Sequence, residues 1–180
     1  MDIFKTYYKQ IIKQDLTNKF IFKNNKKVPK IKKIILNFSC KNLSIQKFAI
    51  TILALEIISF KKGTITITKK PNIILKIQKG YPAGCKVELK NHQIYLFLTK
   101  LNIKIIPRLR NFPGFKLKKQ IFNFFFQIPG NEIILKEFED QYPLFSNLPT
   151  LDINIITTTK NPKELIFLAK SIKLPFYQKI

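Results

Sequence analysis

Apolar and polar positions alternate with two clearly different periods along this chain. Phe4, Tyr7, Tyr8, Ile11, Ile12 and Leu16 recur at three- and four-residue spacings, which predicts an N-terminal amphipathic helix. A lysine-rich loop from Lys23 to Pro29 follows, then a strand over Ile31 to Phe38, rich in β-branched residues and polar at its end. Ser44 to Ser59 reads as a second helix with Ser44 as its N-cap. Past Gly63, the strict alternation Thr64-Ile65-Thr66-Ile67-Thr68 marks a half-buried strand. Two further strand-like runs, Ile73 to Lys79 and Cys85 to Lys90, flank Gly80-Tyr81-Pro82-Ala83-Gly84.

A third helix is expected from about Asn91 to Lys104, stopped by Pro107. Phe122 to Ile128 and Glu132 to Leu135 read as a hairpin turning at Pro129-Gly130. Leu151 to Thr159 alternates as a strand, and Asn161-Pro162 opens a last helix that Pro175 ends. Helices mixed with sequential strands predict an α+β fold, an antiparallel-rich sheet with helices packed on one face. No internal repeat or linker divides the 180 residues, so a single domain is expected.

Charge changes the picture. The net charge is +23, yet 46% of the residues are apolar, as in a folded protein rather than a disordered one. Solubility alone needs a net charge of only about 2–8 in a small domain. A polyanionic partner is therefore implied, nucleic acid first and an anionic membrane surface second. Only two of the 33 basic residues are arginine, Arg108 and Arg110, both in the stretch Ile106 to Phe112. Their planar guanidinium forks suit bidentate phosphate or base contacts that lysine cannot make. The dominance of Lys, Ile, Asn and Phe matches A/T-rich coding, common in organelle genomes, and the arginines stand against that drift. From Glu137 through Thr159 there is no lysine or arginine, and four of the ten acids lie there. That segment faces solvent, the rest of the fold or a basic protein, but not phosphate.

Candidate chemistry narrows the function further. The segment Gly80 to Lys86 is one residue too short between its glycines for a phosphate-binding P-loop, and Val87 stands where a magnesium-binding Ser or Thr belongs. It reads instead as a rigid turn in which Tyr81 either stacks on a base or caps the core. Lys69, Lys70, Lys76, Lys79 and Lys86 flank it as a cluster able to track a phosphate backbone. Cys40 and Cys85 read as buried or half-buried reduced thiols, because with His92 they make only three of the four ligands a structural zinc needs. His92 reads as a polar surface residue rather than a general base, and neither a catalytic set nor a cofactor is called for. The longest apolar stretch, Phe48 to Phe60, is interrupted by Thr51, Glu56 and Ser59 and is shorter than the ~20 residues that cross a bilayer.

Five ordered motifs carry a family resemblance. They are Val28-Pro29-Lys30-Ile31 with Lys33-Ile34 and Leu36-Asn37; Gly80-Tyr81-Pro82 with Gly84-Cys85-Lys86-Val87; Pro107-Arg108 with Arg110, Phe112 and Gly114; Leu151-Asp152-Ile153 with Ile155 and Thr157-Thr158-Thr159; and Leu174-Pro175-Phe176. Together they resemble the bacterial-type L5 family of large-subunit ribosomal proteins over nearly the whole chain. The resemblance implies a non-enzymatic protein of the central protuberance that binds 5S rRNA and adjacent large-subunit rRNA. It also implies an approach to P-site tRNA and contact with a small-subunit head protein. The RNA-binding set expected on these grounds is Lys30, Lys33, Asn37, Lys69, Lys70, Lys76, Lys79, Tyr81, Pro82, Lys86, Arg108 and Arg110.

The chain also departs from the family. Ser39-Cys40-Lys41 replaces a glycine-rich turn, the Lys69 to Lys79 segment is short, and phenylalanines fill Phe122 to Gly130. These changes match a diverged organellar member, mitochondrial rather than plastid. Asp2 and Asp15 set the N-terminus apart from a transit peptide, which implies synthesis inside the organelle. The alternative from another class is a free-standing RNA- or DNA-binding regulator, although the aromatic strand pattern of an RRM-type reader is absent.

Overall fold

Alternating strands build the core. In β1 (Ile31–Ser39), Ile34, Leu36 and Phe38 are fully buried, while Lys33, Asn37 and Ser39 are only half-buried. β5 (Asn123–Ile128) buries Phe124, Phe126 and Ile128, and β6 (Leu151–Thr157) buries Leu151, Ile153 and Ile155. Successive side chains point to opposite faces of a sheet, so one face is sealed and the other keeps the polar residues. The molecule, a computed structural model, is described at residues 3–40, 44–71, 78–109, 114–116, 123–133, 135–159 and 161–177. Its main sheet has five strands in the order β2-β3-β1-β6-β5, with β2 (Thr64–Ile67) antiparallel to β3 (Pro82–Leu89). β4 (Phe115–Lys116) and β7 (Phe176–Tyr177) form a separate parallel pair. The α+β architecture is as expected.

The chain divides into two compact units, one of residues 1–34, 90–126 and 154–180, the other of residues 35–89 and 127–153. In the first, α1 (Ile3–Tyr7), a π-helical turn (Tyr8–Ile12) and α2 (Lys13–Lys19) form the N-terminal helical run, with Ile12 and Leu16 fully buried. The buried Tyr8 hydroxyl donates to the Pro29 carbonyl at 2.7 Å. α4 (His92–Lys100) continues through a π-helical turn (Leu101–Ile105) into a 3-10 turn (Ile106–Arg108). Pro107 thus lies inside the helical run instead of stopping it, because the first positions of a turn need no N–H donor. α7 (Pro162–Ser171) ends before Pro175, closed by a left-handed residue, Lys173.

In the second unit, α3 (Ile45–Ser59) starts as its sequence predicts: the Ser44 hydroxyl accepts from the Lys47 N–H at 3.4 Å. α3 buries Thr51, Ala54, Leu55, Ile58 and Ser59. β3 begins three residues earlier than predicted, at Pro82, a tolerated position because the first residue of a strand can forgo its N–H. The expected strand Ile73 to Lys79 falls mostly at residues 72–77, outside the described residues, while Lys79 lies in a turn.

The expected hairpin at Pro129-Gly130 does not form. β5 neighbours β6 in the sheet, and Gly130–Glu132 is a 3-10 turn. Ile133 and Leu135 are buried side chains outside any strand. Their apolar character serves the core rather than a ladder. A Cβ at Gly130 would run into the Leu148 and Pro149 carbonyl oxygens, so glycine lets that segment close down. Two short helices not anticipated from the sequence follow, α5 (Lys136–Glu139) and α6 (Tyr142–Phe145), joined by Phe138 stacked on Phe145 with ring centroids 4.6 Å apart.

Candidate nucleic-acid interface

Thr68 organises the turn that precedes β3. Its hydroxyl donates to the Gln78 carbonyl at 2.7 Å and accepts from the Tyr81 N–H at 3.1 Å. Its N–H bonds the Tyr81 carbonyl at 2.9 Å, and its carbonyl accepts from the Gly80 N–H at 3.0 Å. Gly80 has φ +86°, a conformation glycine adopts without strain. At the other end, a Cβ on Gly84 would collide with the Phe38 carbonyl oxygen. One glycine supplies a dihedral angle and the other clearance between β3 and β1. Tyr81 emerges from this clamp 48% exposed, and Pro82 is half-buried beside it. The core-capping alternative for Tyr81 thus gives way to an accessible ring. Lys69, Lys70, Lys79 and Lys86 are exposed in the same unit, whereas Lys76 lies outside the described residues.

The polar face of the sheet carries a second feature of that unit. Asn37 donates from Nδ2 to Asp152 Oδ2 at 3.4 Å, and Gln127 donates from Nε2 to Asp152 Oδ1 at 2.7 Å. The carboxylate therefore orients two carboxamides on neighbouring strands. Lys86 shares this face, by alternation with the buried Cys85 and Val87, and stands 4.0 Å from Glu88. A face of amides and lysines offers hydrogen-bonding groups to base edges or sugars together with charge for phosphates.

In the other unit, Lys30 is exposed and anchored through its backbone. Its N–H donates to the Thr158 hydroxyl at 3.0 Å, and its carbonyl accepts from the Thr158 N–H at 2.9 Å. Lys33 is half-buried on β1, and Arg108 half-buried in the last turn of the α4 run. Arg110 lies outside the described residues. Sequence reasoning singled out Asn37 but not Thr68, which organises the turn, nor Gln127, which shares its carboxylate partner, nor the orienting role of Asp152. Asp152 sits within a quoted motif, while nothing local distinguishes Thr68 or Gln127.

The two cysteines are free and buried, as expected, and both converge on Thr51. Cys40 Sγ lies 3.4 Å from the Thr51 hydroxyl oxygen, and Cys85 Sγ lies 3.8 Å from the Thr51 carbonyl oxygen. The Cys85 thiol hydrogen-bonds Cys40 and holds its ionisation down to about 7 against the opposing effect of burial. The same contact, together with burial, pushes Cys85 far up. Among the described residues, no three of His, Cys, Asp and Glu gather as a metal shell, and His92 is exposed at the start of α4. Among the same residues, no helix is long and apolar enough to cross a membrane.

Residues 82–176 match the family model that describes the C-terminus of the ribosomal L5 proteins. The chain is 34% identical over 179 residues to the large ribosomal subunit protein uL5m of Reclinomonas americana, covering 97% of this chain and 98% of the relative. It is 35% identical over 179 residues to the large ribosomal subunit protein uL5 of Nitrosomonas europaea, covering 94% and 96%. With more than half of its length matched by the family model and nearly all of it aligned to these relatives, the chain belongs to the L5 family of ribosomal proteins, which are structural proteins and not enzymes.

Proposed function

We propose that this protein is a structural constituent of the central protuberance of a mitochondrial large ribosomal subunit, binding 5S rRNA, adjacent large-subunit rRNA, or both. The observation that carries this reading is the end-to-end similarity to a mitochondrial uL5m. The exposed lysines around the Tyr81 turn supply salt-dependent attraction to phosphates. Asn37, Tyr81 and Arg108 fix position: an oriented carboxamide, a ring open to stacking, and a guanidinium fork. The Lys69 to Lys79 segment approaches P-site tRNA, and another surface meets a small-subunit head protein. The lysine-free stretch Glu137 to Thr159 supports a role in protein rather than phosphate contact.

The test is sedimentation of the endogenous protein through a high-salt sucrose gradient, with sequencing of the RNA that co-purifies. Stoichiometric migration with the large subunit, together with 5S or large-subunit rRNA, is the expected result. Release into light fractions with heterogeneous RNA would overturn it in favour of a free-standing regulator.

A further inference from the structure

Helix α7 closes with a turn whose occupant does not match its geometry. The Leu174 N–H bonds back to the Ala169 carbonyl at 3.3 Å, and the Lys173 N–H to the Lys170 carbonyl at 2.9 Å. This pairing is a Schellman closure, and its left-handed position usually holds glycine. Here it holds Lys173, at φ +60°. Phe60 and Asn91 share a positive φ, but of the three only Lys173 is cationic.

The Lys173 turn is fastened from two sides. Asn102, in the π-helical turn after α4, donates its Nδ2 to the Ile172 carbonyl at 2.9 Å. The Tyr7 hydroxyl donates to the Ser171 carbonyl at 3.4 Å. Lys173 then lines, with Phe4, Tyr7, Thr99, Asn102 and Ile103, a groove of about 380 Å³. The Phe4 and Tyr7 rings form an aromatic wall, their centroids 5.9 Å apart at 53°, and the Lys173 ammonium stands 5.6 Å from the Tyr7 ring centroid.

An aromatic wall beside a cation fixed at a strained backbone position suits a ligand that is flat on one side and anionic at its edge. We propose that this groove receives an unstacked base from a single-stranded RNA segment, its ring against Phe4 and Tyr7 and its neighbouring phosphate on Lys173. The inference rests on the RNA-binding reading above and adds to it a nucleotide subsite. Its size lies within the ~300–1,000 Å³ of small-ligand sites, and the net charge of +23 favours a polyanion over an apolar peptide. Base stacking on aromatic side chains is tolerant of sequence, so the subsite reads single-strandedness rather than base identity. Phosphate binding replaces the exposed cation–π contact with a stronger charge-assisted hydrogen bond. Asn102 is a positioning residue, holding the turn that carries the lysine.

The test uses the full chain, titrated with a short labelled oligoadenylate and with an RNA duplex of equal length. Lys173→Gly relieves the left-handed strain, so its melting temperature rises by about 3 °C. Its affinity for oligoadenylate nevertheless falls at least about fivefold, which separates loss of binding from loss of fold. Lys163→Gln, an exposed charge removed at the opposite end of α7, serves as the control and changes affinity by less than about twofold. Tyr7→Phe keeps the ring and gives up only the long hydroxyl bond to Ser171, so it loses less than about twofold, whereas Tyr7→Leu, which also loses the ring, loses at least about fivefold. For the duplex, which offers no unstacked base, Lys173→Gly matches the control. If Lys173→Gly and Tyr7→Leu match the control on oligoadenylate while wild type binds, the groove inference fails and the RNA-binding reading stands. If wild type does not bind oligoadenylate, the groove inference fails by itself, and the RNA-binding reading is decided by the sedimentation experiment above.

Discussion

The Phe38 carbonyl occupies the space in which any side chain at position 84 would begin, so β1 and β3 meet at their present distance only because residue 84 is glycine. This contact sets the spacing between the strand bearing Asn37 and the strand that follows Tyr81. Gly84→Ala is expected to destabilise the protein by about 3 kcal/mol, the scale of an overpacked contact the backbone cannot relieve. Gly80→Ala meets nothing within 4 Å, but it must hold φ +86° and is expected to lose about 1 kcal/mol. Denaturant midpoints for the two variants check the order, and equal losses would refute the clearance argument.

On the polar face of the sheet, charge and position are separable. Lys86→Ala is expected to weaken rRNA binding and reduce the slope of log affinity against log salt by about one phosphate contact. Asn37→Ala is expected to weaken binding by about fivefold with the salt slope unchanged, because its carboxamide contributes geometry and not charge. Titrations at several salt concentrations distinguish them.

Arg108→Lys retains the charge and discards the fork. It is expected to weaken binding by about tenfold, more than Lys69→Ala or Lys70→Ala alone, since a point charge cannot reproduce bidentate contact. Binding titrations with these single variants decide it; equal effects would reduce Arg108 to one charge among many.

The thiol pair makes stability depend on pH in a non-monotonic way. Cys40 ionises at about 7 in the fold and near 9.0 when unfolded, so the unfolded chain holds the extra proton between those values. Stability contributed by Cys40 therefore rises with pH across that window, is fully present above it, and is lost as pH falls through about 7. Cys85 works in the opposite sense: its raised value keeps it protonated in the fold, so stability falls once the unfolded thiol ionises above 9.0. Both trends are read from denaturant midpoints across the range. Cys40→Ser should remove the rise between about 7 and 9.0.

Where one local rule governs, the sequence was a sufficient guide. The Ser44 cap, the strand of β1 and the alternation of β6 appear as read, and the spacing from Phe4 to Leu16 gives a helical run, interrupted by a π-helical turn and leaving Ile11 exposed. Where two rules compete, it was not. Glu132 to Leu135 has strand composition, but the neighbour of β5 in the sheet is β6, so those residues serve the core instead. The candidate interface divides similarly. Tyr81, Asn37 and the exposed lysines were legible from residue type and motif. Asp152, bonded to Asn37 across 115 residues of chain, was a contact only the fold could reveal. Lys173 escaped because a Schellman closure announces itself through glycine, and here the glycine is missing.

The side-to-side alternation of β1 from Lys33 to Ser39 limits how this protein can change. With Lys33 and Asn37 on one face and Ile34, Leu36 and Phe38 on the other, inserting or deleting one residue would drive the amide and lysine positions inward and the apolar ones outward. Indels are thus closed to this strand, and its lineage can revise the side that carries Lys33 and Asn37 only by exchanging one side chain at a time.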